Sequence, residues 1–443
     1  MARTAPIKTT VRPIDHIFSP FQEFIQQEAS SGILLIIATV IALIWANSPW
    51  AESYIHLWET RVSVSFGTFG ISKDLHHWIN DGLMAVFFFV VGLEIKREVL
   101  VGELASRRQA ILPIMAAIGG MAVPALLYMM FNTSGPAQTG WGIPMATDIA
   151  FALGVLSLLG KRVPISLKVF LTAVAIVDDL GAVLVIALFY TSDLAWISLL
   201  VGGFFLVALM VMNRLGVRSP VVYSLLGLGL WVAFLQSGVH ATIAGVLLAM
   251  TIPVRTRINT EEFITNARYF LEEFRKHGKH GESVLTNKDQ RAALQAIETA
   301  AEHAQTPLQR LEHTLHPWVS NLIMPVFALA NAGVVLTGNL GTMLIQPVTI
   351  GIMAGLIFGK QIGVFLASYI AVKLKWADLP AGMTWGRLYG LAWLAGIGFT
   401  MSLFITSLAF TEAGILATAK AGILVASLIS GTVGALLLNR NKE

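Results

Sequence analysis

The sequence predicts an all-α polytopic membrane protein. Of its 443 residues, 55% are hydrophobic and only 13% are charged. The mean hydropathy of +0.71 lies outside the range of water-soluble globular domains. Long apolar runs recur along the chain, and a helix of about 20 such residues crosses a bilayer. The absence of cysteine excludes disulfides, thiolate metal sites and cysteine nucleophiles.

Twelve apolar segments predict twelve transmembrane helices. Because twelve is an even number, both chain ends are expected on the same side of the membrane. The segments lie at 32–46, 78–95, 109–131, 141–160, 164–190, 195–213, 220–237, 239–252, 316–336, 348–372, 384–411 and 418–438.

The distribution of Lys and Arg predicts the orientation. Of the 30 basic residues, 26 fall in the two chain ends and in the loops on their side, whereas the opposite loops hold only Arg61, Lys73 and Lys420. Cytoplasmic loops carry the excess of basic residues, so both termini are predicted to be cytoplasmic. This asymmetry also accounts for the net charge of +4 without a nucleic-acid partner. The remaining basic residue, Lys360, lies in the middle of segment 10.

The first 30 residues predict a short helix on the membrane surface. Ser19 is a capping residue before Pro20, and Phe21, Phe24 and Ile25 share one face of the helix that follows. We expect no cleavable signal peptide, because this stretch is polar and mixed in charge.

Two other stretches are predicted to lie outside the bilayer. Apolar and polar residues alternate around Gly67, which predicts a small β-hairpin near 61–72. An isolated hairpin is marginal in water, which favours pairing with a second subunit and hence a homodimer. Residues 254–306 are rich in Glu, Lys and His at helical spacing, so we expect a solvated cytoplasmic insert without a catalytic role.

Three acidic residues lie inside the apolar segments away from their ends. These are Asp148, Asp178 and Asp179. An ionised carboxylate near the bilayer centre costs at least about 2.5 to 3.5 kcal/mol, so each needs a reason to be there. With Lys360 they carry a charge of about minus two when all are ionised, and binding a cation or a proton relieves part of this imbalance. Asp178 and Asp179 point about 100° apart on a helix, so they are expected to have different partners.

Two of the apolar segments contain helix breaks. Pro144 interrupts segment 4 just before Thr147 and Asp148, and the freed carbonyls and the Thr147 hydroxyl are hard oxygen donors suited to an alkali ion. Segment 11 has its own interruption within residues 394–402, a Leu-Ala-Gly-Ile-Gly-Phe-Thr-Met-Ser sequence. Segments 3–5 and 10–12 enter the membrane from opposite sides, and each triplet has its break in the middle member. This pattern predicts inverted repeats with two crossed discontinuous helices and a site at the midplane.

Lys360 is expected to pair with Asp178. Lys360 and Asp148 are also the residues available to neutralise the half-helix ends that the two breaks bring together. Four glycines of segment 10 recur at a spacing of four and give a flat face for close packing beside Lys360: Gly351, Gly355, Gly359 and Gly363. The alternative is that Lys360 extends to the membrane interface, although it lies some twelve residues from either end of its segment.

These motifs resemble the bacterial sodium/proton antiporter A family, NhaA, which is itself a known example of inverted repeats. The resemblance runs from about residue 30 to 438, apart from the insert. It is carried by Met145-Ala146-Thr147-Asp148-Ile149-Ala150-Phe151-Ala152-Leu153-Gly154, by Ala175 to Gly181, by Val91-Gly92-Leu93-Glu94-Ile95-Lys96-Arg97-Glu98, by Gly359-Lys360 and by Gly396-Ile397-Gly398-Phe399-Thr400-Met401-Ser402.

The resemblance implies a pH-regulated, electrogenic antiporter in the bacterial inner membrane. It would export sodium or lithium in exchange for protons, and it needs no cofactor. Asp179 would be the main carboxylate for sodium and the proton, assisted by Asp148 and Thr147, while Asp178 pairs with Lys360. The resemblance also implies a set of residues that tune the pH response: Glu94, Glu312, His313, His316 and His240.

The resemblance further implies a division of the chain into a scaffold and a moving core. The predicted parts are a cytoplasmic segment at 1–30, scaffold and dimer residues 31–108 with the hairpin, core repeat 1 at 109–190, scaffold 191–253, the insert 254–306, a scaffold helix 307–337, core repeat 2 at 338–438 and a tail at 439–443. Gln309 departs from the family pattern, because a basic residue is familiar there.

The same residues also admit other interpretations. His240 and His316 are candidates for purely structural hydrogen bonding, and Glu94 could belong to a solvated charge cluster with its basic neighbours. A sodium-coupled solute symporter would need a polar midplane cavity, for which these segments offer few side chains. An intramembrane aspartyl protease would need two aspartates that share a proton, which a buried Lys360 would disturb.

Overall fold

The computed structural model describes residues 28–67, 69–160, 163–191, 194–278, 284–335 and 340–440. The surface helix predicted near Ser19 lies outside these residues, as does most of the predicted tail.

Helices make up most of the described chain. In chain order they are α1 (Glu28–Ala46), α2 (Ala51–Glu59), α3 (Leu75–His77), α4 (Met84–Val101), α5 (Arg107–Phe131), α6 (Ile149–Leu158), α7 (Ile165–Phe189), α8 (Trp196–Arg214), α9 (Pro220–Leu235), α10 (Thr242–Thr251), α11 (Thr260–Lys276), α12 (Lys288–Ala304), α13 (Pro307–Trp318), α14 (Met324–Asn331), α15 (Leu340–Leu344), α16 (Pro347–Ala354), α17 (Lys360–Lys373), α18 (Trp385–Ala395), α19 (Phe399–Ala409) and α20 (Ala413–Arg440).

Several stretches depart from α-helical geometry. Two are 3₁₀ helices, Glu103–Ala105 and Pro136–Met145. Three are π-helical, Trp78–Leu83, Val319–Ile323 and Gly355–Gly359, and each continues directly into an α-helix. The last of these ends immediately before Lys360. A π-helical turn inside a longer helix is frequent at functional sites.

The predicted β-hairpin is confirmed. Strands β1 (Arg61–Phe66) and β2 (Phe69–Asp74) pair antiparallel, with Arg61 opposite Asp74 and Ser65 opposite Gly70. Gly67 in the turn has a φ of 61°, a left-handed conformation that favours glycine. The two strands form a sheet without a third member among the described residues.

Each predicted apolar segment coincides with helix over most of its length. By length and composition, six helical stretches can cross a membrane, namely Arg107–Phe131, Pro136–Leu158, Ile165–Phe189, Trp196–Arg214, Pro347–Lys373 and Ala413–Arg440. Two bent pairs, α1 with α2 and α18 with α19, raise this number to eight. Helices α9 and α10 are shorter apolar helices. The predicted total of twelve crossings is therefore not confirmed and stays a prediction.

The chain forms two compact units. The first contains the described residues up to 83, residues 103–190 and those from 317 onwards, and so holds both predicted core repeats. The second contains residues 84–102 and 191–316.

In the first unit, the four glycines of segment 10 pack closely as predicted. A Cβ on Gly363 would overlap the carbonyl oxygen of Gly119 in α5, and one on Gly359 would lie 2.7 Å from the Cα of Pro124. Gly351 lies against Tyr128 in the same way. The backbones of α5 and α17 therefore approach as only small residues allow.

In the second unit, the insert is a helical hairpin of α11 and α12. Asn259 starts α11 with a capping box, and Asn287 caps α12. The hairpin closes on itself, because the backbone N–H groups of Arg257 and Ile258 both donate to the carbonyl of His303, at 2.9 and 3.3 Å.

Candidate functional site

Two interrupted helices meet in the first unit. At the first interruption, from Ala146 to Asp148, the backbone is extended between the 3₁₀ helix and α6. At the second, α18 and α19 are bent by 42°. The interruptions touch, because the backbone N–H of Asp148 donates to the carbonyl of Ile397 at 2.6 Å.

Close packing at this crossing requires glycine at position 398. A Cβ there would overlap the hydroxyl of Ser402 and lie 3.2 Å from the carbonyl oxygen of Ala146. The Ser402 hydroxyl in turn donates to the carbonyl of Ile143 at 2.8 Å. The Gly-Ile-Gly sequence therefore ends α18 and allows the backbone of the first interruption to approach closely.

Asp148 caps two helices at once. Its Oδ1 accepts from the backbone N–H of Phe151 at 2.9 Å, in the first turn of α6. Its Oδ2 accepts from the backbone N–H of Thr400 at 3.0 Å and from the Thr400 hydroxyl, in the first turn of α19. A helix N-terminus carries roughly half a positive charge, so one carboxylate faces about one unit of compensating charge. This geometry is consistent with the charge-compensating role of Asp148, which stays a prediction.

Lys360 pairs with Asp178, as the sequence predicted. Its Nζ lies 2.5 Å from Asp178 Oδ2 and donates to the carbonyl of Met145 at 2.6 Å, and both side chains are fully buried. Met145 ends the 3₁₀ helix, so the lysine also neutralises the negative end of a half-helix. The Thr147 hydroxyl lies 2.8 Å from both Asp178 Oδ2 and the carbonyl of Ala395, and its single proton serves one of them at a time.

Asp179 is the neighbouring carboxylate on α7 and is 1% exposed. Helix geometry turns it about 100° from Asp178 around the α7 axis. Thr147, Asp148 and Asp178 are equally buried, at 1% exposure or less. The structure thus brings together carboxylates, a hydroxyl and backbone carbonyls, which are the hard oxygen donors that alkali ions prefer. The ion-binding roles of these residues stay predictions.

Sequence reasoning missed the part played by Thr400. It lies in the quoted Gly-Ile-Gly-Phe-Thr motif, and both its backbone N–H and its hydroxyl bind Asp148. The signal available was a hydroxyl residue in the first turn after a helix break, where the backbone N–H groups lack partners within the helix. Asp148 lies 252 residues away in the sequence, so the partner could not be chosen without the fold.

The residues predicted to tune the pH response belong to the second unit. Arg97 forms ion pairs with Glu98 at 3.1 Å and with Glu312 at 3.0 Å. Nε2 of His316 lies 4.0 Å from Oε1 of Glu94, while His313 is exposed. Burial raises the pKa of Glu312, and the positive charge of Arg97 partly offsets this rise. Charges of both signs therefore lie close together here, although the pH role itself is not tested.

His240 makes a local hydrogen bond. Its Nδ1 lies 2.7 Å from the Thr242 hydroxyl, and Gly238 before it has a φ of 83°. This is the contact expected if His240 shapes the tight connection into α10. Its predicted influence on pH response stays a prediction.

Comparisons with known proteins place this arrangement in a family. The sequence model of the Na+/H+ antiporter 1 family matches residues 22–438. The Na(+)/H(+) antiporter NhaA of Oleidesulfovibrio alaskensis is 56% identical over 427 residues, which cover 96% of this chain and 95% of that protein. The Na(+)/H(+) antiporter NhaA of Koribacter versatilis is 51% identical over 428 residues, covering 97% and 93%.

A solved structure is a more distant match. The sodium proton antiporter MjNhaP1 from Methanocaldococcus jannaschii aligns with 97% of this chain and 95% of its own, with 13% identity and a TM-score of 0.43. That score is too low to support a comparison of details. The family match and the relatives at about half identity extend over nearly the whole chain. The chain therefore belongs to the Na+/H+ antiporter 1 family.

Proposed function

We propose that this chain is an antiporter that exports sodium, and also lithium, in exchange for protons. The observation that supports this most directly is the meeting of two broken helices at a buried cluster of Thr147, Asp148, Asp178 and Lys360. The relatives at about 50% identity are named Na(+)/H(+) antiporters. The transported ions are substrates, and no cofactor is proposed.

Asp179 is the proposed carrier of the exchanged ion. Asp178 shares its charge with Lys360, and Asp148 shares its charge with two helix N-termini, so both have fixed compensation. Sodium requires the ionised carboxylate and a proton neutralises it, so the two ions compete for Asp179. If the binding site becomes accessible from the other side of the membrane only while Asp179 holds sodium or a proton, export of one ion is coupled to import of the other.

The proposed membrane arrangement is the one that the sequence predicts. The chain crosses the bacterial cytoplasmic membrane twelve times, with both termini cytoplasmic, and segments 3–5 and 10–12 form inverted repeats. The touching breaks in segments 4 and 11 support a midplane site. The two repeats form the moving core, and residues 31–108, 191–253 and 307–337 form the scaffold.

A further part of the proposal is that the exchange moves net charge and depends on pH. Glu94, Glu312, His313, His316 and His240 are the residues proposed to set this dependence. The ion pairs around Arg97 support it, because protonation of a carboxylate there changes the local balance of charge. A sodium pulse should therefore change the membrane potential in vesicles as well as the internal pH.

A homodimer that pairs through the β-hairpin is also proposed. Val62 and Val64 lie on one face of β1 and are 39% and 60% exposed. A two-stranded hairpin gains stability from additional strands. The substitution V64D at this exposed position should shift the purified protein from dimer to monomer in light-scattering measurements. An unchanged mass would contradict pairing at this face.

The substitution D179N tests the proposed carrier. Asparagine keeps the shape of the side chain but cannot exchange a proton or carry the negative charge that sodium requires. In reconstituted vesicles, we expect sodium and lithium to cause no pH change with D179N, while the wild-type protein responds to both ions but not to potassium. D378N is the matched control, because Asp378 is exposed and its pair with Arg108 lies at the surface. Normal exchange by D179N would overturn the assignment of Asp179.

A further inference from the structure

Three side chains capable of binding a metal lie together where β2 passes into α3. Asp74, His76 and His77 each offer one ligand atom, and the three atoms lie within 4.8 Å of one another. Oδ1 of Asp74 is 2.6 Å from Nδ1 of His77. Atoms bound to one tetrahedral zinc ion at about 2.0 to 2.1 Å stand about 3.3 to 3.4 Å apart. Small side-chain rotations therefore place all three around one ion.

The network behind His76 fixes its tautomer. Nδ2 of Asn331 donates to Oδ1 of Asn80 at 2.9 Å and to the carbonyl of Phe327 at 3.1 Å. This orientation turns Oδ1 of Asn331 toward Nε2 of His76, at 3.1 Å. Because that oxygen accepts hydrogen bonds only, Nε2 must carry the proton and Nδ1 keeps its lone pair. A ligand histidine held by a hydrogen bond at its other nitrogen is typical of metal sites.

Two of the three side chains reach solvent. The side chains of Asp74 and His77 are 32% and 51% exposed, so an ion can reach the group from solvent.

We propose that Asp74, His76 and His77 form a binding site for a divalent transition-metal ion of the zinc type. Two imidazoles and one carboxylate suit zinc, nickel or copper, whereas magnesium and calcium prefer oxygen ligands alone. Three protein ligands leave a fourth position of a tetrahedral zinc site open to water or to another ligand. Bound metal would tie the base of the hairpin to α3 and the π-helical turn that follows.

Two features limit the affinity of this site. Nδ2 of Asn80 now lies 3.1 Å from Nδ1 and 3.3 Å from Nε2 of His76, and a metal at Nδ1 must displace it. The positive charge of Lys420 acts on His76 and repels a cation as well, and the carboxylate of Asp74 offsets this repulsion. Both features favour reversible binding over a permanent structural zinc site.

The test is a zinc titration of the purified full-length protein, stripped with a chelator and prepared with an affinity tag that lacks histidine. Competition with a chromophoric chelator gives stoichiometry and affinity. We expect one zinc ion per chain, with affinity reduced about tenfold or more by D74N and by H77Q. Asn caps a helix as well as Asp does, so D74N preserves the hydrogen bond to the backbone N–H of His77. H56Q is the control, because His56 forms an exposed pair with Glu52 outside the group.

Each outcome decides the proposal. A loss of affinity in D74N and H77Q but not in H56Q supports the site. Equal affinities in wild type, D74N and H77Q would overturn it, since zinc would then be bound elsewhere. No binding by the wild type would overturn it as well. Displacement of zinc by a hundredfold excess of magnesium would contradict the proposed class of metal.

Discussion

The ion pair between Lys360 and Asp178 is fully buried, and its energetics follow from that burial. Removing both ions from water is costly, and the short contact offsets part of that cost, together with the hydrogen bonds from Lys360 to the Met145 carbonyl and from the Thr147 hydroxyl to Asp178. A buried pair need not stabilise a protein compared with an apolar pair, but a single charge left behind is strongly destabilising. This asymmetry makes the pair testable by stability alone.

The change K360M should destabilise the protein by about 3 to 5 kcal/mol, because it leaves the charge of Asp178 without compensation. D178N should also destabilise, through the uncompensated lysine. The double variant D178N/K360M carries neither charge. Its melting temperature should therefore recover most of the stability that each single variant loses. D378N is the surface comparison and should cost less than about 1 kcal/mol, because Asp378 and Arg108 are exposed. A double variant as unstable as the sum of the two single variants would contradict direct pairing.

Glu312 gives a residue-level prediction about pH. Its pKa is raised in the folded protein, so folding favours the protonated carboxyl, and this contribution to stability is lost as pH rises through the folded-state pKa. Glutamine cannot ionise. The melting temperature of E312Q should therefore improve relative to wild type as pH increases, with the smallest difference at acidic pH. A gap that does not change across the range would contradict the raised pKa of Glu312.

At the scale of elements, the crossing of α5 and α17 depends on glycine. Gly119 and Gly363 face each other so closely that a Cβ on either would overlap the carbonyl oxygen of the other. Backbone atoms cannot rotate away as a flexible side chain can. The contact also lies beside the ion pair, because a Cβ on Gly120 would be 3.6 Å from Nζ of Lys360.

The substitution G363A should therefore destabilise the protein by at least about 1 to 3 kcal/mol. It should also lower the rate of ion exchange. G414A is the control, since a Cβ on Gly414 at the start of α20 meets nothing within 4 Å. Thermal melting in detergent and exchange in vesicles measure the two effects. Equal melting temperatures for G363A and G414A would show that the two helices can separate at little cost.

At the scale of the whole molecule, the sequence predicts features that each segment determines by itself. An apolar run predicts a helix, a Pro or Gly-Ile-Gly break predicts an interruption, and a buried charge predicts an opposite partner. The pairing of Lys360 with Asp178 followed from this last rule. The capping of α19 by Asp148 and the network of His76, Asn80 and Asn331 did not, because side-chain hydrogen bonds between distant segments depend on the packing of the fold. The π-helical turn before Lys360 likewise has no simple sequence signature.

The insert is a helical hairpin whose two ends lie next to each other. The stem of its hairpin closes through the backbone bonds from Arg257 and Ile258 to His303. Between α11 and α12, Gln290 donates to the carbonyl of Phe274 at 3.1 Å, and Ala293 and Ala300 are buried. Since the ends of the hairpin are already adjacent, replacing residues 259–301 by four Gly and Ser residues closes the stem without stretching the chain.

This deletion should leave a folded protein that still exchanges sodium for protons at its optimal pH. The control is a full-length variant in which the exposed Ile264 and Leu271 of α11 are replaced by Ser. This variant keeps the hairpin. Exchange is measured in vesicles from pH 6 to 9. A shifted pH profile at full maximal rate would assign the insert to regulation, because the proposed pH residues Glu312 and His316 follow it closely in the sequence. Loss of exchange at every pH, with an unchanged melting temperature, would contradict the prediction that the insert has no part in transport itself.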